Sequence, residues 1–298
     1  MTGAPSFTVV RIDPLTGAHV VVAESRQGRP DQPVDGCPFC VGGIEAPEAY
    51  EVRAFPNRWP SLPDGRCEVV LYTPDHDATF WSLPVDRATA VVDLWAARTV
   101  ALGRRDDIAY VLIGENRSPV VGATIAHPHG QIFAYDEVPP VPADELARAR
   151  AAGTCSLCDE DPGDRLVASA SGWRAWVPEA ATYPYGLVLA PSTHVTDLPS
   201  LDADGRRDLA VLLADVLGRL DHLWSDEALM PSMLWIHQRP TDGRDWPEAH
   251  LHVEIAVPMR TAGTPRYVAA MELGSGVYVN PVDPVDAATA LRAVAVSW

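Results

Sequence analysis

Positive charge is scarce in this chain: 23 Lys plus Arg stand against 40 Asp plus Glu, a formal net charge of −17 over 298 residues. A surface of that sign repels polyphosphate backbones, so extended nucleic-acid binding is excluded. Long apolar runs are also missing. No uncharged stretch approaches the roughly 18–20 residues that a membrane-spanning helix needs. The opening Met-Thr-Gly-Ala-Pro-Ser carries neither the basic nor the apolar region of a secretory signal. Gly 21 and Pro 28 together stay well below the roughly 25–30% that marks low-complexity chains. With 47% apolar residues the chain can bury a large core. Its length is about twice the ~150 residues used as a domain prior. The expectation is a soluble cytoplasmic protein of two similar-sized units, with no nucleic-acid or membrane partner.

A small phosphorylated ligand stays open, because one local arginine pair can override the mean field. Arg26 and Arg29, in Glu-Ser-Arg-Gln-Gly-Arg-Pro, are the candidates. On their own they read equally well as solvated loop residues.

Cysteine is sparse too, with five in all, and four of them form two Cys-x-x-Cys pairs: Cys37/Cys40 and Cys155/Cys158. In a reducing compartment such pairs read as metal or redox motifs rather than structural disulfides. They lie 118 positions apart, too far for one zinc ribbon. That same offset superposes other features. His76 falls on His194, the strand-like run Val69 to Tyr72 on Leu187 to Ala190, and the helical pattern through Val91, Leu94, Trp95 and Leu102 on that from Leu209 to Leu220. Strand-like runs Tyr110 to Ile113 and Met233 to Ile236 follow. Each half then reaches a His-x-His, His127/His129 and His250/His252.

The repeat predicts two tandem α+β units, each a mainly antiparallel sheet with a packed helix. The first covers residues 1–140 and the second 141–298. The segment from Asp136 to Gly153 reads as the linker, with a short helix from Pro142 to Ala152. The residues after Pro258 match neither half.

Each unit holds a complete Cys, Cys, His, His set, the four-coordinate sulfur and nitrogen donors that structural zinc prefers. Two zinc sites are therefore expected: Cys37, Cys40, His76 and His127, then Cys155, Cys158, His194 and His250. Alternation along a strand puts His127, His129 and Gln131 on one face. With His127 held by zinc and Pro128 restricting the backbone, His129 becomes a fixed imidazole, a suitable nucleophile for phosphorus. Gln131 can donate to a phosphoryl oxygen without adding charge.

The run Glu115-Asn116 … Gly122-Ala123-Thr124-Ile125-Ala126-His127-Pro128-His129-Gly130-Gln131 resembles the signature of galactose-1-phosphate uridylyltransferases, tandem members of the histidine-triad superfamily. The resemblance extends through Arg26, Arg29, the first Cys-x-x-Cys, Phe55-Pro56-Asn57, Pro74-Asp75-His76 and the Glu272 region. It implies a double displacement. His129 attacks the α-phosphorus of UDP-glucose, and galactose 1-phosphate then takes the uridylyl group. It assigns Arg26, Arg29, Asn57, Asn116 and Thr124 to the nucleotide and its phosphates, and Arg266, Tyr267 and Glu272 to the sugar. It also implies a homodimer. Four positions depart from the pattern: Thr124 stands for a serine, Ile125 for an asparagine, Arg266 for a lysine and Ala270 for a glycine. Some members hold their second metal with Glu and three His, which match Glu145, His237, His250 and His252 here; the repeat favours the cysteine set. Same-chemistry alternatives are another sugar-phosphate nucleotidyltransferase or a dinucleoside-polyphosphate phosphorylase. A non-catalytic zinc-stabilised nucleotide-binding protein is the alternative of a different class.

Overall fold

The computed structural model describes residues 8–28, 36–224 and 229–296. An outlying hairpin, β1 (Thr8–Ile12) and β2 (His19–Ala23), comes first. The first half continues with β3 (Arg53–Pro56), β4 (Cys67–Leu71), α1 (Val85–Gly103), β5 (Tyr110–Arg117) and β6 (His129–Tyr135). Two helices cross to the second half, α2 (Pro140–Ala152) and α3 (Ser156–Asp159). There follow β7 (Leu166–Ala170), β8 (Trp173–Trp176), β9 (Leu187–Pro191), α4 (Ala203–Asp221), β10 (Ser232–His237) and β11 (His252–Ala256). A small hairpin of β12 (Met259–Thr261) and β13 (Thr264–Pro265) leads to α5 (Ala270–Ser275) and α6 (Pro284–Ala293).

Nine strands form one antiparallel sheet in the order β3-β4-β6-β5-β10-β11-β9-β8-β7. The order β3-β4-β6-β5 recurs, reversed across the sheet, as β10-β11-β9-β8. The halves meet where β5 pairs with β10, from Ile113 opposite Ile236 to Arg117 opposite Ser232. This is an α+β fold around a large antiparallel sheet.

Periodicity decides which face is covered. On α1 the buried residues Val91, Val92, Trp95 and Leu102 return about every turn, as do Leu209, Leu213, Val216 and Leu220 on α4. Both stripes pack onto the sheet face carrying Val70, Val111, Ile113 and Ile132. Asp202 starts α4 by accepting the Gly205 N–H at 2.8 Å, and Gly153 ends α2 in the left-handed region at φ +69°. The other sheet face is left for side chains with chemistry. Among the described residues, no helix is long and apolar enough to cross a membrane.

Candidate active site

The first Cys-x-x-Cys closes as predicted. Cys40 Sγ lies 3.5 Å from His76 Nδ1 and 3.7 Å from His127 Nδ1, and the ligand atoms of Cys37, Cys40, His76 and His127 all fall within 4.8 Å of one another. The backbone sets the tautomer of His127: its Nε2 meets the Thr73 carbonyl at 2.8 Å, which turns Nδ1 toward the thiols. Burial lowers the pKa of His127, keeping the ring in the neutral form a metal binds. Tyr50 ties the cysteine loop down by donating to the Phe39 carbonyl at 2.7 Å. Two thiols and two imidazoles aimed at one point suit zinc, and a cation there would offset the burial that raises the pKa of Cys40.

His127 lies just outside β6, fully buried, and His129 is the first residue of that strand. Alternation along β6 sends Gly130, Ile132 and Ala134 into the helix-covered core and leaves His129, Gln131 and Phe133 on the opposite face. His129 Nδ1 donates to the His127 carbonyl at 2.8 Å, so its lone pair resides on Nε2. The Phe39 ring packs edge-on to the imidazole at 5.0 Å. A cavity of about 560 Å³ borders His129, Asn116, Thr124, Ile125 and His127. A neighbouring trough of about 500 Å³ borders Asn116, Gln131, Phe133 and Trp235. Asn116 belongs to both.

Several residues expected to hold nucleotide converge here. Asn57 Nδ2 donates to Gln131 Oε1 at 3.3 Å, while its own Oδ1 accepts the Trp59 N–H. Arg26 Nη1 donates to the Trp59 carbonyl at 2.7 Å, so Arg26, Asn57 and Gln131 form a connected series. Arg29 lies outside the described residues. Ile125, the departure from asparagine, packs against the apolar cluster of Phe39, Ala46, Val69 and Leu71. Its side chain fills this small second core.

The second cysteine pair also assembles with its histidines. Cys155 Sγ is 3.1 Å and Cys158 Sγ 3.5 Å from His250 Nδ1, and Cys158 Sγ is 3.4 Å from His194 Nδ1. Backbone carbonyls of Pro247 and Pro191 hold the two Nε2 atoms, repeating the arrangement around His127. Burial first, then the His194 and His252 charges, lowers the pKa of His250 to about 4. His250 thus faces the cysteines, and Glu145, His237 and His252 gather separately with Glu254. His237 Nδ1 is 3.0 Å from Glu145 and 3.5 Å from Glu254. Glu254 was invisible to the repeat arithmetic. A signal existed: it stands two residues after His252, as Gln131 stands two after His129.

The residues assigned to the sugar are not brought to His129. Arg266 and Glu272 pair with each other, 7% and 4% exposed, and Glu272 also accepts the N–H groups of Ala269 and Val279. The carboxylate thereby braces α5. Tyr267 is 78% exposed, and none of the three borders the cavity beside His129.

Residues 47–139 match the family model for galactose-1-phosphate uridyl transferase, N-terminal domain. The chain is 32% identical to a galactose-1-phosphate uridylyltransferase of Thermotoga maritima, over 95% of this chain and 97% of that one. Against the Streptomyces lividans galactose-1-phosphate uridylyltransferase it is 36% identical, covering 96% and 87%. A solved uridylyltransferase structure superposes with a TM-score of 0.87 at 27% identity, covering 96% of this chain and 98% of the other. The chain belongs to the galactose-1-phosphate uridylyltransferase family.

Proposed function

We propose that this chain moves a uridylyl group from UDP-glucose to galactose 1-phosphate through a covalent intermediate on His129. One observation carries the reading: the His129 Nδ1–H is held by the His127 carbonyl, on a backbone anchored by a metal-ligand cluster, so Nε2 is the nucleophilic atom. In the first step Nε2 forms a bond to the α-phosphorus, and the bond to the bridging oxygen breaks. Glucose 1-phosphate leaves with that electron pair. In the second step an oxygen of galactose 1-phosphate attacks the same phosphorus, and the phosphorus–nitrogen bond returns its pair to the ring. No proton moves, which suits a site whose acceptor is already an anion. Gln131, steadied by Asn57, would donate to the phosphoryl oxygen; Arg26, Arg29, Asn116 and Thr124 would hold nucleotide and phosphates.

Zinc fits both cysteine–histidine clusters, where it would fix backbone geometry as a structural ion. The Glu145, His237, His252 and Glu254 group offers a harder donor set to a divalent cation. We read the chain as two histidine-triad-like units, residues 1–140 and 141–298, on the support of the repeated strand order and the repeated ligand sets. Only the first keeps the Gln beside its second histidine. A homodimer, as the resemblance implies, would let the exposed Tyr267 segment meet a second copy; Arg266 and Glu272 would serve there as its frame.

The test is turnover with UDP-glucose plus galactose 1-phosphate, run beside ADP-glucose and other sugar phosphates. Formation of UDP-galactose and glucose 1-phosphate as the preferred reaction supports the reading. Preference for an adenine donor with inorganic phosphate would replace it with a phosphorylase.

A further inference from the structure

We propose that Tyr72 and Glu115 form a side-chain strap beneath the catalytic strand and act as positioning residues for His129, an inference that rests on the nucleophilic role given to that histidine. Three strands run side by side here, with β6 between β4 and β5. Val70 of β4 pairs with Gly130, and Tyr72, two residues on, shares its core-facing side. On the other flank Gly114 of β5 pairs with Gln131, which puts Glu115 level with Gly130. The Tyr72 hydroxyl donates to Glu115 Oε2 at 2.9 Å. That bond therefore crosses under β6 at the residue between His129 and Gln131.

Only glycine leaves room for it. A Cβ built on Gly130 would lie 2.3 Å from the Tyr72 hydroxyl, 3.2 Å from Tyr72 Cζ and 3.2 Å from the Gly114 carbonyl. Gly130 is absent from the positive-φ residues, so space rather than backbone conformation requires it. The tyrosine end of the strap is fixed by its packing. The Tyr72 ring is 1% exposed and packs edge-on against Phe80 at 5.7 Å and Trp95 at 5.8 Å. Glu115 is half-buried beside Arg117 and borders both cavities, and among the described residues the Tyr72 hydroxyl is the hydrogen-bond donor its carboxyl meets. Hydroxyl and carboxylate together fix how far β4 and β5 stand apart under β6. They hold the strand's pleat so that His129 and Gln131 project from the opposite face at one height. A nucleophile displaced by even 1 Å can lose on the order of 10²-fold in rate, so a strap that fixes the strand acts directly on kcat.

Four variants test this, each checked for unchanged metal content and read by steady-state kinetics and by exchange of labelled glucose 1-phosphate into UDP-glucose. Tyr72→Phe should lower kcat about tenfold with KM for UDP-glucose unchanged. Glu115→Gln, which keeps an acceptor for the hydroxyl, should stay near the wild-type rate. Gly130→Ala should lose about 100-fold. Adding Tyr72→Phe to Gly130→Ala removes the clashing hydroxyl and should recover at least about fivefold over Gly130→Ala alone, although Tyr72→Phe is harmful by itself. Losses that simply multiply in the double variant would overturn the strap, as would a Tyr72→Phe enzyme with full kcat. Absence of exchange in the unmodified enzyme is a different result: it would remove the covalent reading and leave the strap without its object.

Discussion

At the scale of single residues, the sequence announced its cysteine–histidine clusters because cysteine and histidine are rare enough for spacing to be informative. It could not announce the partners that orient them, since Thr73, Pro191 and Pro247 contribute only carbonyls. Gly43 illustrates a dependence visible only in three dimensions. A Cβ there would sit 2.6 Å from the Pro38 carbonyl, 2.7 Å from that of Cys37 and 2.8 Å from that of Cys40. Gly43→Ala should therefore loosen the first metal loop, speeding metal loss to a chelator about tenfold or more while the second site is untouched. The cysteine assignment in the second half is tested separately: Cys155→Ser with Cys158→Ser should remove one zinc per chain, and full retention would contradict it. His250 supplies a pH prediction for the metal-free protein. Its folded pKa is lowered to about 4 from 6.5, so the unfolded chain takes up its proton first as pH falls. Its contribution is complete above about pH 6.5 and is lost between there and about pH 4. The melting temperature of chelated protein should fall across that window, and less steeply in His250→Asn.

Elements were more legible than their boundaries. The paired strands and the helices α1 and α4 lay in the hydrophobic periods, because each packs one face on a common core. The linker helix begins at Pro140, two residues before the expected Pro142, since proline is tolerated in a first helical turn. The segment after Pro258 had no repeat partner, and its contacts are local: Arg266 and Glu272 close on each other. The chain has no lysine at all, so the cation at that position is a guanidinium, whose fork can be buried against a carboxylate. Glu272→Ala should lower the melting temperature and release α5 to proteolysis while exchange at His129 persists. The core beneath the site makes a sharper demand. Trp95 is 0% exposed and stacked on Phe80 at 6.0 Å. Trp95→Ala should cost about 3–5 kcal/mol. Trp95→Phe should cost clearly less, because the indole N–H it removes has no partner. Chemical denaturation of the two variants compares them directly.

The whole molecule joins its halves through the β5–β10 pairing and a buried polar knot behind it. Arg117 donates to both Asp221 oxygens, at 2.9 and 2.6 Å, and Trp81 Nε1 and the Met230 N–H add two further donors. Because Arg117 belongs to the first half and Asp221 to the second, Asp221→Ala should cost about 3 kcal/mol by taking from the arginine its two-pronged partner and leaving it only the Glu115 carboxylate nearby. The repeat in the sequence made two similar halves legible, but not that their sheets would fuse edge to edge, since that pairing uses backbone groups any strand carries. The covalent step at His129 is tested most directly by incubating the enzyme with UDP-glucose and labelled glucose 1-phosphate, with no second sugar phosphate present. Label should appear in UDP-glucose, and His129→Asn should abolish the exchange while the protein keeps its fold and its metal. An enzyme that forms UDP-galactose at a normal rate yet exchanges no label would contradict the account.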